Sequence, residues 1–470
     1  MSEFKRSISL NTTIALVIGG IIGSGIFMKP ALMASQLGSP ILLISVWIVA
    51  GIITLFGALS NAEVAAMFPE TGGQYVFFKK MYGDAFAFLY GWAAFAVFNT
   101  AGNASIAYVF SQYANYFIEL PHFSATIEKA FVVHIPLVGN IYPIENFGVK
   151  ILTVILILLL TVVNYLSVAY SGALQRVLTS LKAIAIVLLI GGILFSGKGS
   201  IHNIVTSMPS MPHGWALISA YMAAIAGAFW AYDGWNNITF VAGEIKDPKK
   251  NIPKSLFLGL SFCIVIYVLV NLAYIYVLPI DKMAISPFVA SDSATITWGL
   301  IGGGIIAAMV MLSTLGTTNS NVLATARVTY AMSEENRWFA WAGKPQKKYN
   351  TPGNALILNA IWTCVLIFSG SFDMLTDMLI FVSWFFYGMS GLGVFLLRKK
   401  MRDFPRVYKV WGYPIVPLCF VAFVVFFLCS TLYTDISNYQ HGTTPIINSL
   451  LGIIITCAGI PIYYLSKKKS

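Results

Sequence analysis

Residues 14–28 run IALVIGGIIGSGIFM, an apolar segment of membrane length interrupted by Gly23, Ser24 and Gly25. A helix in lipid must satisfy its own backbone, so a break is tolerated only where it is buried in protein or lines a cavity. Such a break leaves bare N–H groups on one half-helix and bare carbonyls on the other. Near the bilayer midplane these groups suit the carboxylate and the ammonium of an amino acid. The amides after the break and the Ser24 hydroxyl are expected to take the carboxylate, and the carbonyls around Ile21 to face the ammonium. The competing explanation is a small-residue motif for close helix packing.

A second segment makes packing alone insufficient. Residues 216–245 read ALISAYMAAIAGAFWAYDGWNNITFVAGEI, and their middle, Trp230 to Asn237, sets an acid, two amides and a glycine deep in an apolar run. Trp230, Ala231, Asp233 and Asn236 are the binding candidates there. An ionisable residue at membrane depth marks a functional site by default. Asp233 either meets a cationic side chain or caps the second half of this span by accepting from its free amides, and capping carries slightly more weight. Trp230 can also be an ordinary core or lipid-facing aromatic.

The elements that position these residues follow from composition. The 470-residue chain is 58% hydrophobic and 10% charged, with a mean hydropathy of +0.78. A soluble domain carries about 25% charged residues, so the chain is expected to be an all-α polytopic membrane protein. No signal-peptide pattern is evident. Apolar runs bounded by Pro, Gly and charge predict twelve transmembrane helices, near 10–37, 40–67, 84–118, 147–168, 172–196, 217–242, 254–278, 296–331, 354–370, 374–397, 412–432 and 445–465. The net charge is +11, and its Lys and Arg gather on alternate loops, which puts both termini in the cytoplasm. Topology explains every basic cluster, so no nucleic acid is expected as a partner. The five cysteines all fall in spans, with no metal spacing and no disulfide framework.

The two interrupted spans stand first in two five-span sets that run in opposite directions. That is the signature of a 5+5 inverted repeat with a midplane site between discontinuous helices 1 and 6. The expected units are residues 1–196, residues 197–400, and residues 401–470 with helices 11 and 12.

Gly20–Phe27 (GIIGSGIF), Pro69–Tyr75 (PETGGQY) and Trp230–Asn251 (WAYDGWNNITFVAGEIKDPKKN) resemble the amino acid–polyamine–organocation superfamily. The last stretch, continued through Ile252-Pro253 to Asn271–Tyr274, looks most like its L-amino acid transporter branch. The resemblance implies a leucine-transporter-like fold, alternating access and one-for-one exchange of amino acids. It puts the Trp230 and Asp233 carbonyls on the substrate ammonium and makes the Trp230 ring a gate. It also implies that Lys182, in place of a sodium ion, bridges helices 1 and 8, where chemistry alone allows a snorkelling lysine. Trp384 matches an aromatic beside the side-chain pocket, and Asn236 and Tyr274 are weaker candidates of the same kind. Animal members of the branch carry a cysteine after helix 3 for a disulfide-linked heavy subunit. Residues 119–146 contain none, so a bacterial-type member of the cell membrane without such a partner is expected.

The polar run of the eighth span (Ser313, Thr314, Thr317, Thr318, Asn319, Ser320 and Asn321) can serve the site or helix–helix hydrogen bonds. The expected function is sodium-independent exchange of neutral L-amino acids, with no cofactor. Proton symport and exchange of cationic amino acids are the alternatives, given Asp233. The polar spans lack His and paired carboxylates, which argues against an enzyme, and the inverted repeat argues against a channel.

Overall fold

A computed structural model describes residues 6–70, 72–166, 182, 184–336, 339–346, 348–349 and 351–467. The chain opens with α1 (Leu10–Ile21) and α2 (Gly25–Leu37), two apolar helices bent by 43° at a break between them. A long helix, α3 (Pro40–Met67), and a short one, α4 (Gln74–Tyr82), follow. The next span is α5 (Asp84–Ala93), a π-helical turn at Ala94–Asn99 and α6 (Thr100–Ala114). The segment after it holds α7 (Ala125–Ala130) and an antiparallel hairpin of β1 (Val133–Ile135) and β2 (Gly139–Ile141), a small departure from an all-α chain. Then come α8 (Phe147–Leu166), α9 (Ile184–Leu194), α10 (His202–Val205) and α11 (Gly214–Tyr232).

The second half begins with α12 (Asn237–Phe240), α13 (Pro248–Val277) and α14 (Ile280–Ala284). It continues with α15 (Val289–Asn336), α16 (Gly353–Ser369) and α17 (Phe372–Lys400). It closes with α18 (Ile415–Gln440), α19 (Asn448–Cys457) and α20 (Gly459–Lys467).

Among the described residues nine helices are long and apolar enough to cross a membrane, ten if the α1–α2 pair counts as one span. Two shorter apolar helices, α9 and α16, stand where the fifth and ninth spans are expected, and much of the fifth lies outside the described residues. The eighth span starts earlier than the apolar run indicates, because the chain turns at Gly299 (φ 75°) and is helical on both sides of it. The eleventh runs on to Gln440, beyond the expected end at 432.

The outer faces of the helices are apolar, as lipid requires. In α8, Thr153 and Asn164 are buried and bond to Ser111 (2.9 Å) and Asn319 (2.9 Å), while Ile155, Leu158, Leu159 and Val162 on the other face are exposed. Interhelical polar pairs of this kind hold spans together where lipid supplies no hydrophobic drive.

One charged knot fastens α3 to α17. Glu63 is 1% exposed and accepts from Arg398 Nε at 2.9 Å and Nη2 at 2.7 Å, with Arg406 Nε at 3.5 Å and the Val410 amide at 2.7 Å. Removing one member of a buried pair strands the other charge, at about 3 kcal/mol. Glu63→Gln is therefore expected to lower the melting temperature of the solubilised protein clearly. An unchanged unfolding curve would show that the knot contributes nothing.

Candidate binding site at two helix breaks

Helix α1 ends with the Ile22 amide on the Ile18 carbonyl (2.9 Å), and backbone bonding resumes with the Phe27 and Met28 amides on the Ser24 carbonyl, both at 3.1 Å. The N–H groups of residues 23–26 therefore find no backbone acceptor, and they sit at the N-terminal end of α2. Gly23, Ser24 and Gly25 supply no side chain that caps them. Ser24 itself is buried.

The second break is narrower than the polar stretch 230–237 indicates. Trp230, Ala231 and Tyr232 complete α11, and the chain leaves the helix at Asp233 (φ −66°, ψ 156°). It turns at Gly234, whose φ of 102° a side chain would strain. Asn236 then precedes the four residues of α12. The Trp230 carbonyl keeps a long bond from the Asp233 amide (3.3 Å), and the Gly234 carbonyl accepts from the Asn237 amide (3.2 Å).

The two breaks lie against each other. A Cβ on Gly25 would stand 2.5 Å from Ala231 Cα and 2.7 Å from its Cβ. A Cβ on Gly20 would stand 3.1 Å from the Gly234 carbonyl oxygen, and one on Gly234 would collide with the Gly20 carbonyl. Glycine is required at these points by the approach of one backbone to another.

Tyr267 of α13 joins them chemically. Its buried hydroxyl lies 3.0 Å from the Ile21 carbonyl and 2.9 Å from the Ala231 carbonyl, one freed carbonyl from each break. The ring packs edge-on against Trp47 at 5.3 Å and tilted against Tyr232 at 5.0 Å, and the Tyr232 hydroxyl donates to the Trp47 carbonyl (3.0 Å). The bridging phenol is thus held by a cluster of three rings. A lone tyrosine in an apolar helix gives little warning of such a role. The faint signal is that Tyr267, Asn271 and Tyr274 share one helical face.

Asp233 has a partner on another helix. Its Oδ1 accepts from the Tyr387 hydroxyl of α17 at 2.7 Å, and no side chain caps the first turn of α12. The Asp233 carboxylate also accepts from the Gly234 amide, the backbone N–H that follows it. Tyr387 also packs on Trp235 at 5.1 Å.

The other candidates divide. Trp230 is 8% exposed, and its ring edge meets Phe372 at 6.3 Å. Trp384 lies behind α11, stacked on Phe229 and set among Tyr387, Phe420 and Phe427. Asn236 is buried, and its carbonyl accepts from the Thr239 hydroxyl. Tyr274 is buried with no partner for its hydroxyl among the described residues. Lys182 is buried with Nζ 3.4 Å from Thr317 Oγ1 of α15; residues 167–181 and 183 around it lie outside the described residues. Along α15, Thr314, Thr317 and Thr318 return their hydroxyls to carbonyls of their own helix.

A many-helix membrane protein in which two interrupted helices meet at their breaks is built as a transporter, not as an enzyme. The chain belongs to the amino acid permease family, whose model matches residues 8–458. It is 30% identical to the serine/threonine exchanger SteT of Bacillus subtilis over 470 residues, covering 99% of this chain and 98% of the relative. It is 29% identical to the human cystine/glutamate transporter, covering 98% of this chain and 85% of that one. It is 31% identical to the mouse large neutral amino acids transporter small subunit 2, covering 98% and 81%. The chain is thus a multi-pass membrane protein of amino acid transport, of the L-amino acid transporter type.

Proposed function

We propose that this protein is a sodium-independent exchanger of neutral L-amino acids working by alternating access. The observation that carries the reading is the meeting of the two breaks, with Tyr267 between the Ile21 and Ala231 carbonyls. A zwitterion there takes its carboxylate to the amides of residues 23–26 and its ammonium to carbonyls at Ile21, Trp230 and Asp233. Because the ligand touches both breaks at once, it favours the closed form through which the carrier crosses, which is what exchange requires. Ser24 lends its hydroxyl to the carboxylate, Trp230 covers the ligand, and Trp384 and Asn236 border its side chain.

The nine long helices, the broken pair and the shorter α9 and α16 support twelve spans. Residues 1–196 and 197–400 form the two inverted halves, and residues 401–470 the last two helices. Charge bias supports cytoplasmic termini in a cell membrane. The cysteine-free segment 119–146 supports work without a disulfide-linked heavy subunit.

In this reading the substrate is neutral, and Tyr387 holds Asp233 Oδ1 towards α17. Counterflow in proteoliposomes against the twenty amino acids tests this. Accumulation of label driven only by a neutral amino acid on the far side supports exchange. Uptake that needs a proton gradient, or selection of lysine and arginine, contradicts it.

Lys182 stands in for a coupling cation between α1 and α15, and its reach to Thr317 supports that role. A charged hydrogen bond contributes about 1.5–3 kcal/mol. Lys182→Ala is therefore expected to slow exchange roughly tenfold or more with membrane insertion intact. Exchange at the wild-type rate would remove Lys182 from the mechanism.

A further inference from the structure

The segment that joins α17 to α18 alternates in burial. Phe404, Arg406, Tyr408 and Val410 are buried or half-buried, whereas Pro405, Val407, Lys409 and Trp411 are exposed. The inward row is held firmly. The Val410 amide and the Arg406 guanidinium reach Glu63, and Arg406 also donates to the Leu397 and Met401 carbonyls at 3.0 and 2.9 Å. Phe404 packs on Phe68 at 5.4 Å between ring centres. Arg398 is spent on Glu63 and on the Tyr413 ring, whose centre lies 3.5 Å from its guanidinium carbon.

The outward row has no partner in the protein. Trp411 is 75% exposed and Val407 55%. This apolar surface runs on into α18, where Ile415, Leu418, Ala422 and Val425 are exposed at helical spacing. Val416, Phe420, Val424 and Phe427 on the other face of that helix are buried, so the exposed stripe is its lipid side. Charge gathers at the same end. Residues 398–411 hold six Lys or Arg and one acid, Asp403. Lys399, Arg402 and Lys409 are exposed, and among the described residues none stands within ion-pair distance of a carboxylate.

We infer that this segment binds an anionic phospholipid where α18 leaves the membrane. Trp411 and Val407 seat at the level of the headgroups, and Lys399, Arg402 and Lys409 surround the phosphate. An indole, apolar with one polar edge, belongs at the boundary of membrane and water. Unpaired cations beside it draw lipids of negative charge. A soluble acidic partner would use the three cations but leave unexplained an apolar row continuous with the lipid face of α18. Because the inward row is tied to Glu63, the lipid site is presented in one fixed shape, and a bound lipid braces the joint of α3 and α17.

The inference rests on α18 as a membrane span and assumes nothing about exchange or substrate. Its test needs no transport. The intact protein in detergent is titrated with phosphatidylglycerol or phosphatidylcholine, and bound lipid is counted by native mass spectrometry. The wild type should retain phosphatidylglycerol in preference. Lys409→Gln and Arg402→Gln should each weaken its binding about fivefold, the effect of one charge close to a lipid surface. Trp411→Ala should weaken the binding of both lipids. The controls are Lys198→Gln and Trp215→Ala, at exposed residues on other segments, and they should bind phosphatidylglycerol as the wild type does. All of these side chains are exposed, so the variants keep the fold, which a melting curve verifies. Binding by Lys409→Gln and Arg402→Gln that matches Lys198→Gln overturns the site. So does a loss in those two with none in Trp411→Ala, since the cations would then hold an anion away from the bilayer.

Discussion

Gly25→Ala is expected to abolish most transport while leaving the protein in the membrane. The added methyl group would stand 2.5 Å from Ala231 Cα, a backbone atom of the facing helix that no rotamer change can clear. The two breaks must then separate, and each loses its half of the ligand. Forcing an extra carbon into a closed contact costs about 1–3 kcal/mol. Here that strain falls on the site itself, so uptake of labelled amino acid should drop by up to about a hundredfold. Gly191→Ala, a control with open space around the glycine, should behave as wild type. Near-normal uptake by the Gly25 variant would mean that the close approach has no part in transport.

Tyr267→Phe is the second large effect. The ring would keep its packing against Trp47 and Tyr232, so the fold is retained. What goes is the hydroxyl that faces the Ile21 and Ala231 carbonyls. An unsatisfied buried acceptor costs about 1–3 kcal/mol. The loss falls on the geometry that brings both breaks to one ligand, so exchange should fall about five- to a hundredfold while the protein still folds and inserts. Exchange at the wild-type rate would make Tyr267 a packing residue only.

The physical reasons for what the sequence discloses differ from residue to residue. The first break is legible because Gly23, Ser24 and Gly25 stand where lipid demands a continuous helix. The second is legible in place but not in extent. The amides and acid of residues 230–237 advertise it, yet Trp230 and Tyr232 find enough packing to keep α11 helical, and the turn waits for Gly234. Asp233 stands out by its charge, while its partner Tyr387 does not, since a phenol in an aromatic-rich helix is ordinary until its hydroxyl is seen to donate. Lys29 reads as a loop charge near the end of a span. Its partner is Asp373, 344 residues further along the chain, a distance no local pattern spans.

The span boundaries show the same limit. The turn at Gly299 and the extension of α18 to Gln440 depend on what the helix ends pack against, which hydropathy does not record. Lys182 is legible only as a buried charge in a span, and its contact with Thr317 gives that charge a direction.

A structure of the transporter with a bound amino acid tests the central claim most directly. The ligand carboxylate should lie about 3 Å from the N–H groups of residues 23–26. Its ammonium should lie among the carbonyls of Ile21, Trp230 and Asp233, with the Trp230 ring over it. An amino acid seated elsewhere, with both breaks still pressed together and their peptide groups untouched, would contradict the account.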